Sequence, residues 1–162
     1  MTYPTTESLT QSFALTHRLI KMQTDGLTNA DSLLQLPFRG NCLNWVLGHI
    51  LDGRNTALKR LGGSPVWDKS EIARYKQGSE PISCAEQALP LEKLLADLDQ
   101  SQQRIAAALA EMSPEGLAAT VDAGESKSLE QTLAGLHWHE TYHTGQLEIL
   151  RQLAGTDDVI IK

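Results

Sequence analysis

Two histidines four positions apart are the residues of this chain best placed to do chemistry. They open and close the string His139-Glu140-Thr141-Tyr142-His143. Residues four apart on a helix share one face, so both imidazoles can reach the same metal ion. The string also spells HExxH, in which the glutamate of zinc proteases acts as general base. The pattern predicts a metal site with two ligands on one helix.

The residues that follow the string do not complete a protease site. The extended zinc-protease string HExxHxxGxxH requires a glycine and a third histidine downstream, and Gln146 and Ile149 hold those two positions here. Glu148 is the one glutamate after His143, and on the same helix it would point away. We therefore do not expect a HExxH protease, and a third ligand has to come from upstream.

The surroundings of the histidine pair indicate where that ligand lies. Leucines flank the pair at the spacing of buried positions in a helix bundle, and two buried imidazoles need several acceptors or a shared metal. His49, on an earlier predicted helix, is the leading candidate for the third ligand. His17 could line the same cavity, with plain packing as the alternative. The predicted buried stripe is Leu129, Thr132, Leu136, His139, His143, Gln146, Leu150 and Leu153.

Apolar periodicity predicts four long helices that position these residues. They cover roughly residues 7–24, 42–61, 90–112 and 128–153, and Ser128-Leu129-Glu130-Gln131 reads as a capping box. The connector from Gly62 to Pro90 is long enough to cross the bundle, and a short helix is predicted at Lys69 to Tyr75. The segment from Glu115 to Lys127 is predicted to be a loop with some extended structure. We expect an all-α four-helix bundle.

Composition indicates one compact domain over residues 1–162 and argues against several classes of partner. The net charge of −6 and the pI near 5.3 are unfavourable for binding nucleic acid. No stretch reaches the roughly 18 apolar residues that a membrane span needs. Met1 to Ser8 lacks the basic and apolar regions of a signal peptide. We expect a cytoplasmic protein that binds neither nucleic acid nor a membrane.

Three motifs resemble a known family of metal-binding helical proteins. The resemblance is to the DinB/YfiT-like superfamily and covers nearly the whole chain. It implies a four-helix bundle, a homodimer, and a metal triad of His49, His139 and His143 with further coordination positions open to water or substrate. The motifs are Asn44-Trp45-x-x-Gly48-His49, Ala73-Arg74-Tyr75-x-x-Gly78 and His139-x-x-x-His143-x-Gly145-Gln146.

Three neutral imidazoles leave the charge of a divalent ion largely uncancelled. Such a site suits Lewis-acid chemistry or lowers the pKa of bound water or thiol, and zinc or nickel fits it better than manganese or iron. The resemblance implies a metal-dependent transferase that activates a low-molecular-weight thiol, such as bacillithiol, mycothiol or glutathione, toward a small molecule. The alternatives are a metal-dependent hydrolase that uses metal-bound water, and a non-enzymatic metal-binding bundle.

Nearby polar residues are candidates for the remaining roles at this site. Glu140 and Asp52 are the predicted catalytic residues for proton transfer, and Gln146 is a candidate to support the metal ligands. A solvated helix face is the alternative for both carboxylates. Arg54 and Tyr142 are assigned no role.

Overall fold

The computed structural model describes residues 4–120, 127–156 and 158–160. Within these residues the chain is helical, and its only β pairing is an isolated bridge between Thr120 and Ser128. The all-α prediction is confirmed. The α-helices are α1 (Thr6–Thr24), α2 (Leu43–Arg60), α3 (Lys69–Tyr75), α4 (Leu91–Ala110), α5 (Pro114–Ala118) and α6 (Leu129–Leu153).

The four long helices α1, α2, α4 and α6 form a bundle. Both α4 and α6 pack against α1 and α2. The first halves of α2 and α4 share one apolar cluster, which includes Leu47 and Leu94, while their second halves share another, which includes Leu58 and Ile105. These two helices therefore run in the same direction, and the connector between them returns along the bundle as a crossover.

The crossover connector is fixed against the bundle by hydrogen bonds. Asn55 of α2 accepts from the backbone N–H groups of Val66 and Trp67 at 2.6 and 3.2 Å, and the Trp67 indole donates to Asp97 of α4 at 2.7 Å. The short helix α3 follows at once, as predicted, and begins at a capping box formed by Asp68 and Glu71. These contacts hold α3 against α2, close to His49.

Most of the helix ends lie where the capping residues and prolines in the sequence predict them. The capping box at Ser128 is present, and its hydroxyl accepts from the Gln131 N–H. The structure corrects the prediction of a loop from Glu115 to Lys127, because α5 covers Pro114–Ala118. Ser113 caps that helix with Pro114 in its first turn, so the pair that ends one helix also begins another. Residues 121–126 of the predicted loop lie outside the described residues.

The buried face of α6 differs from the predicted stripe. His139 and Gln146 are half-buried, as are Thr132, Leu136 and Leu153, so the prediction that all of these lie in the core was wrong. Because α6 packs between α1 and α2, its buried face is broad, and His139 lies at the edge of that face, toward α2. The buried residues of α6 are Leu129, Leu133, Glu140, His143, Thr144, Leu147, Leu150 and Arg151.

A helix that crosses a membrane has to be both long and apolar over most of its length. None of the helices in the described ranges meets both conditions. Several of the long helices bury one side in the bundle and expose charged residues on the other, as in the amphipathic pattern of a bundle helix.

Candidate metal centre

Three histidines from two helices converge on one point. The Nε2 atoms of His49 and His139 are 3.3 Å apart, and those of His143 and His139 are 3.1 Å apart. Nitrogen ligands about 2.0–2.1 Å from a tetrahedral ion would be separated by about 3.3 Å. The observed spacing therefore fits three ligands around a single ion, and the structure brings together the triad predicted from sequence.

Hydrogen bonds at the far side of two rings set their tautomers. The Nδ1–H of His49 donates to the backbone carbonyl of Tyr75 at 2.8 Å, and that of His143 donates to the Gln146 side-chain carbonyl at 2.7 Å. Both Nε2 atoms consequently present lone pairs to the shared point. A proton on the Nε2 atom of His139 could form a hydrogen bond with only one of these two lone pairs. The arrangement of the three nitrogen atoms therefore favours a bound cation.

The environment keeps the α6 histidines neutral, as metal ligands must be. Burial lowers the pKa of His143 to about 4. Burial also lowers the pKa of His139, and the neighbouring His49 lowers it further. Neutral imidazoles can bind a metal at neutral pH without first releasing a proton.

The residues of the α2 motif support His49 through Tyr75. A Cβ atom at Gly48 would overlap the Tyr75 ring, so glycine is needed for that ring to pack on α2. The Tyr75 hydroxyl donates to the Asn44 side-chain carbonyl at 2.9 Å and accepts from the Leu89 N–H at 2.7 Å. These contacts hold the Tyr75 backbone where its carbonyl meets His49.

The triad opens onto a cavity of about 680 Å³. Trp45 forms part of its wall and stacks on the His49 ring, with centroids 4.7 Å apart. A cavity of this size accommodates a small organic molecule. Its lining is Leu36, Phe38, Arg39, Gly40, Asn41, Trp45, Val46, His49, Gln77, His139, Tyr142, His143, Gln146, Ile149 and Leu150.

Comparison with known proteins identifies the family of this chain. A family model described as the DinB superfamily matches residues 9–147. The chain belongs to the DinB superfamily. A solved structure of a conserved protein from Enterococcus faecalis is similar to this DinB-superfamily chain, with a TM-score of 0.71 and 16% identity, over 93% of this chain and 98% of that one. At this identity the likeness shows the fold alone. No curated protein matched.

Glu140 of this DinB-superfamily protein is buried in the bundle and is not on a solvated helix face. It is 3% exposed, and its oxygens accept from Arg54 at 2.9 and 2.7 Å and from the Thr16 hydroxyl. Glu140 does not line the cavity. Its catalytic role stays a prediction, and its contacts favour a role in holding α6 in place.

Arg54 is the partner that makes the burial of Glu140 favourable, although no role was predicted for it from the sequence. The side chain is 1% exposed, and each of its nitrogens donates to an acceptor. Besides Glu140, the acceptors are Ser101 and Gln102 of α4 at 3.3 and 3.2 Å and the Phe13 carbonyl of α1 at 3.4 Å. Arg54 falls on the apolar stripe of α2 with Leu47, Ile50 and Leu58, a signal from which its burial could have been predicted.

Asp52 lies near the triad without contacting it directly. It is half-buried, does not line the cavity, and has no hydrogen bond or ion pair to another described residue. Burial raises the pKa of Asp52, while the neighbouring His49, Lys59 and His139 oppose this rise. Any influence of Asp52 on His49 and His139 is therefore electrostatic, through space, and its predicted catalytic role stays a prediction.

His17 does not join the metal centre. Its Nε2 lies 3.2 Å from an Asp99 oxygen of α4, and it is absent from the cavity lining and from the histidine group. The structure thus favours the packing alternative for this residue. Helix α1 presents His17 to α4, whereas Thr16, the residue before it, reaches Glu140 of α6.

Proposed function

We propose that this protein binds one divalent metal ion through His49, His139 and His143 and uses it in a transferase reaction between a low-molecular-weight thiol and a small molecule. The observation that carries the proposal is the convergence of three Nε2 atoms, 3.1 and 3.3 Å apart, beside a cavity of about 680 Å³. Zinc or nickel suits this ligand set best, with manganese or iron next. Structural zinc sites normally have four protein ligands, so an open set of three supports a reactive centre.

Each part of the site has a role in this reaction. A thiol R–SH and an electrophile R′–X give R–S–R′ and H–X; a sulfur–carbon bond forms, the carbon–X bond breaks, and the proton leaves with solvent or X. When bound, the metal would favour the thiolate form near neutral pH. Tyr75 and Gln146 hold two imidazoles in the ligating tautomer. Trp45 and Ile149 line the cavity and would contact an apolar part of the substrate.

Metal content is the first test of the metal centre. Elemental mass spectrometry on untagged wild-type protein should find about one equivalent of metal, and His49→Ala and His139→Ala should each lose it. His17→Ala, outside the site, should keep it. A metal-free wild type, or metal retained in His49→Ala, would show that the triad is not the binding site.

Thiol coordination tests the reaction class. Cobalt-loaded protein titrated with glutathione or mercaptoethanol should develop a sulfur-to-metal charge-transfer band, and turnover of an aryl halide should require the added thiol. Turnover in water alone would favour the hydrolase instead. Metal-dependent thermal stability with neither activity would favour the non-enzymatic bundle.

The predicted homodimer and cytoplasmic location remain predictions. Sedimentation equilibrium of the metal-loaded protein would measure whether it is a dimer. A mass of one chain across the concentration range would contradict it.

A further inference from the structure

The cavity beside the triad is locally basic in an acidic protein. The chain contains 20 acidic and 14 basic residues. Among the described residues that line the cavity, however, there is an arginine and no aspartate or glutamate. A bound divalent ion would add to this positive charge. The charged side chains of the cavity lining therefore favour anions, although the protein as a whole repels them and the Asp52 carboxylate lies near the triad.

Arg39 supplies the fixed positive charge of the cavity. Its side chain is exposed and lines the cavity, so it lies at the mouth. It has no hydrogen bond or ion pair to any residue in the described part of the chain, unlike Arg54, Arg104 and Arg151, which donate to protein acceptors. The guanidinium donors of Arg39 are thus available to a ligand, in a planar arrangement that matches a carboxylate.

Large apolar side chains surround the same opening. Phe38, Tyr142 and Ile149 are 63%, 57% and 55% exposed, and all three line the cavity. Exposed apolar groups gathered around a concave site are typical of a ligand-binding groove. They would contact an apolar portion of the ligand between the cavity mouth and the triad.

We propose that the cavity binds a small organic carboxylate with an apolar alkyl or aryl body, its carboxylate paired with Arg39. This inference rests on the proposed function, because the opposite end of the molecule would face the histidine triad, where the reaction takes place. Arg39 is then a residue that determines specificity, and it is distinct from the metal ligands.

Nuclear magnetic resonance titration of zinc-loaded protein tests the proposal. The probes are phenylbutyrate and its uncharged amide, and the variants are Arg39→Gln, Arg39→Lys and, as a control for net charge, Arg18→Gln on the exposed side of α1. We expect phenylbutyrate to bind more tightly than the amide, with saturable shifts at the Trp45 indole. Arg39→Gln should reduce that preference by about threefold to fivefold, as for an exposed ion pair. Arg39→Lys should retain part of the preference for phenylbutyrate over the amide, and Arg18→Gln should retain all of that preference.

Other outcomes would overturn the inference. Equal losses in Arg39→Gln and Arg18→Gln would show an effect of net charge alone. The inference also fails if phenylbutyrate and the amide bind alike, or if neither shifts the cavity resonances. The Arg39 effect should persist after the zinc is removed with a chelator, because it does not depend on the metal.

A second pair of probes separates this inference from the proposed function. Mercaptohexanamide reports on thiol coordination without a carboxylate, through the charge-transfer band of cobalt-loaded protein. If it gives no band, the thiol proposal fails, and the phenylbutyrate titration still decides the role of Arg39. If it gives a band but mercaptohexanoate gains no affinity from Arg39, the inference fails and the thiol proposal stands.

Discussion

Two polar groups of residues support the histidine triad in different ways. In the first, which we name the Tyr75 support, the Tyr75 carbonyl accepts directly from His49, and Asn44 and Gly48 hold the tyrosine in place. In the second, the Arg54 cluster, Arg54 binds Glu140 and joins all four long helices of the bundle. The Tyr75 support hydrogen-bonds to His49 of the triad, whereas Arg54 hydrogen-bonds to none of the three histidines.

This difference separates the stability of the bundle from the affinity for metal. A buried ion pair is costly to break, because the remaining charge stays in the core without a partner. A neutral hydrogen bond to a ligand contributes less to folding, but it orients the imidazole and fixes its tautomer. We therefore expect damage to the Arg54 cluster to appear in unfolding and damage to the Tyr75 support to appear in metal binding.

The largest effect should follow from Arg54→Met. The change leaves Glu140 buried and unpaired, so the free energy of unfolding should fall by about 3–5 kcal/mol. Urea unfolding of the metal-free protein measures it. Arg18→Met, on the surface of α1, is the control and should change stability by less than about 0.5 kcal/mol.

The double variant Arg54→Met, Glu140→Met sharpens the comparison. Two apolar side chains of similar length remove both charges together, so most of the lost stability should return. Its zinc affinity should stay near that of the wild type, since neither side chain hydrogen-bonds to a histidine of the triad. A double variant as unstable as Arg54→Met would refute the ion-pair explanation, and a lost zinc site would refute the separation of roles.

The next effect should follow from Gly48→Ala. The added Cβ displaces the Tyr75 ring and with it the carbonyl that accepts from His49. Zinc affinity should fall by about 10- to 100-fold, the usual consequence of losing a hydrogen bond to a ligand. Competition with a chromophoric chelator measures it. Gly145→Ala is the matched control, because a Cβ there has no neighbour within 4 Å; equal losses in both variants would contradict the role of Tyr75.

A smaller effect is expected from Gln146→Leu. It removes the acceptor for the Nδ1–H of His143 while leaving the Arg54 cluster untouched. Zinc affinity should fall by about tenfold, with little change in the urea midpoint of the metal-free protein. Gln146→Glu, which restores an acceptor, should recover the affinity. If Gln146→Leu and the exposed variant Gln152→Leu behave alike, the hydrogen bond has no part in binding.

The smallest effect should come from Asp52→Asn, which tests a contribution that needs no contact. The carboxylate of Asp52 influences His49 and His139 through space. Removing its charge should lower zinc affinity by about fivefold, less at high salt. An unchanged affinity at low salt would exclude this contribution.

Much of the architecture could be predicted from local signals. The capping box at Ser128 placed the start of α6 at the observed residue, and the short helix predicted at Lys69 to Tyr75 is α3, because helix ends depend on hydrogen bonds between near neighbours. The same local signals did not predict α5, because Ser113-Pro114 can both end one helix and begin the next. The triad was also predicted, from the spacing of His139 and His143, from His49 as the leading upstream candidate, and from the family resemblance, which implies the same three histidines.

The sequence by itself determined the four long helices, the family and the three histidines of the candidate metal centre. The tertiary structure alone decided that Glu140 is buried against Arg54, 86 positions away, that His17 faces α4, and that Gly48 makes room for Tyr75. The physical reason is that a helical pattern gives the relative direction of side chains, whereas their surroundings depend on which helix packs against each face. A buried charge is tolerated only where packing brings it a partner.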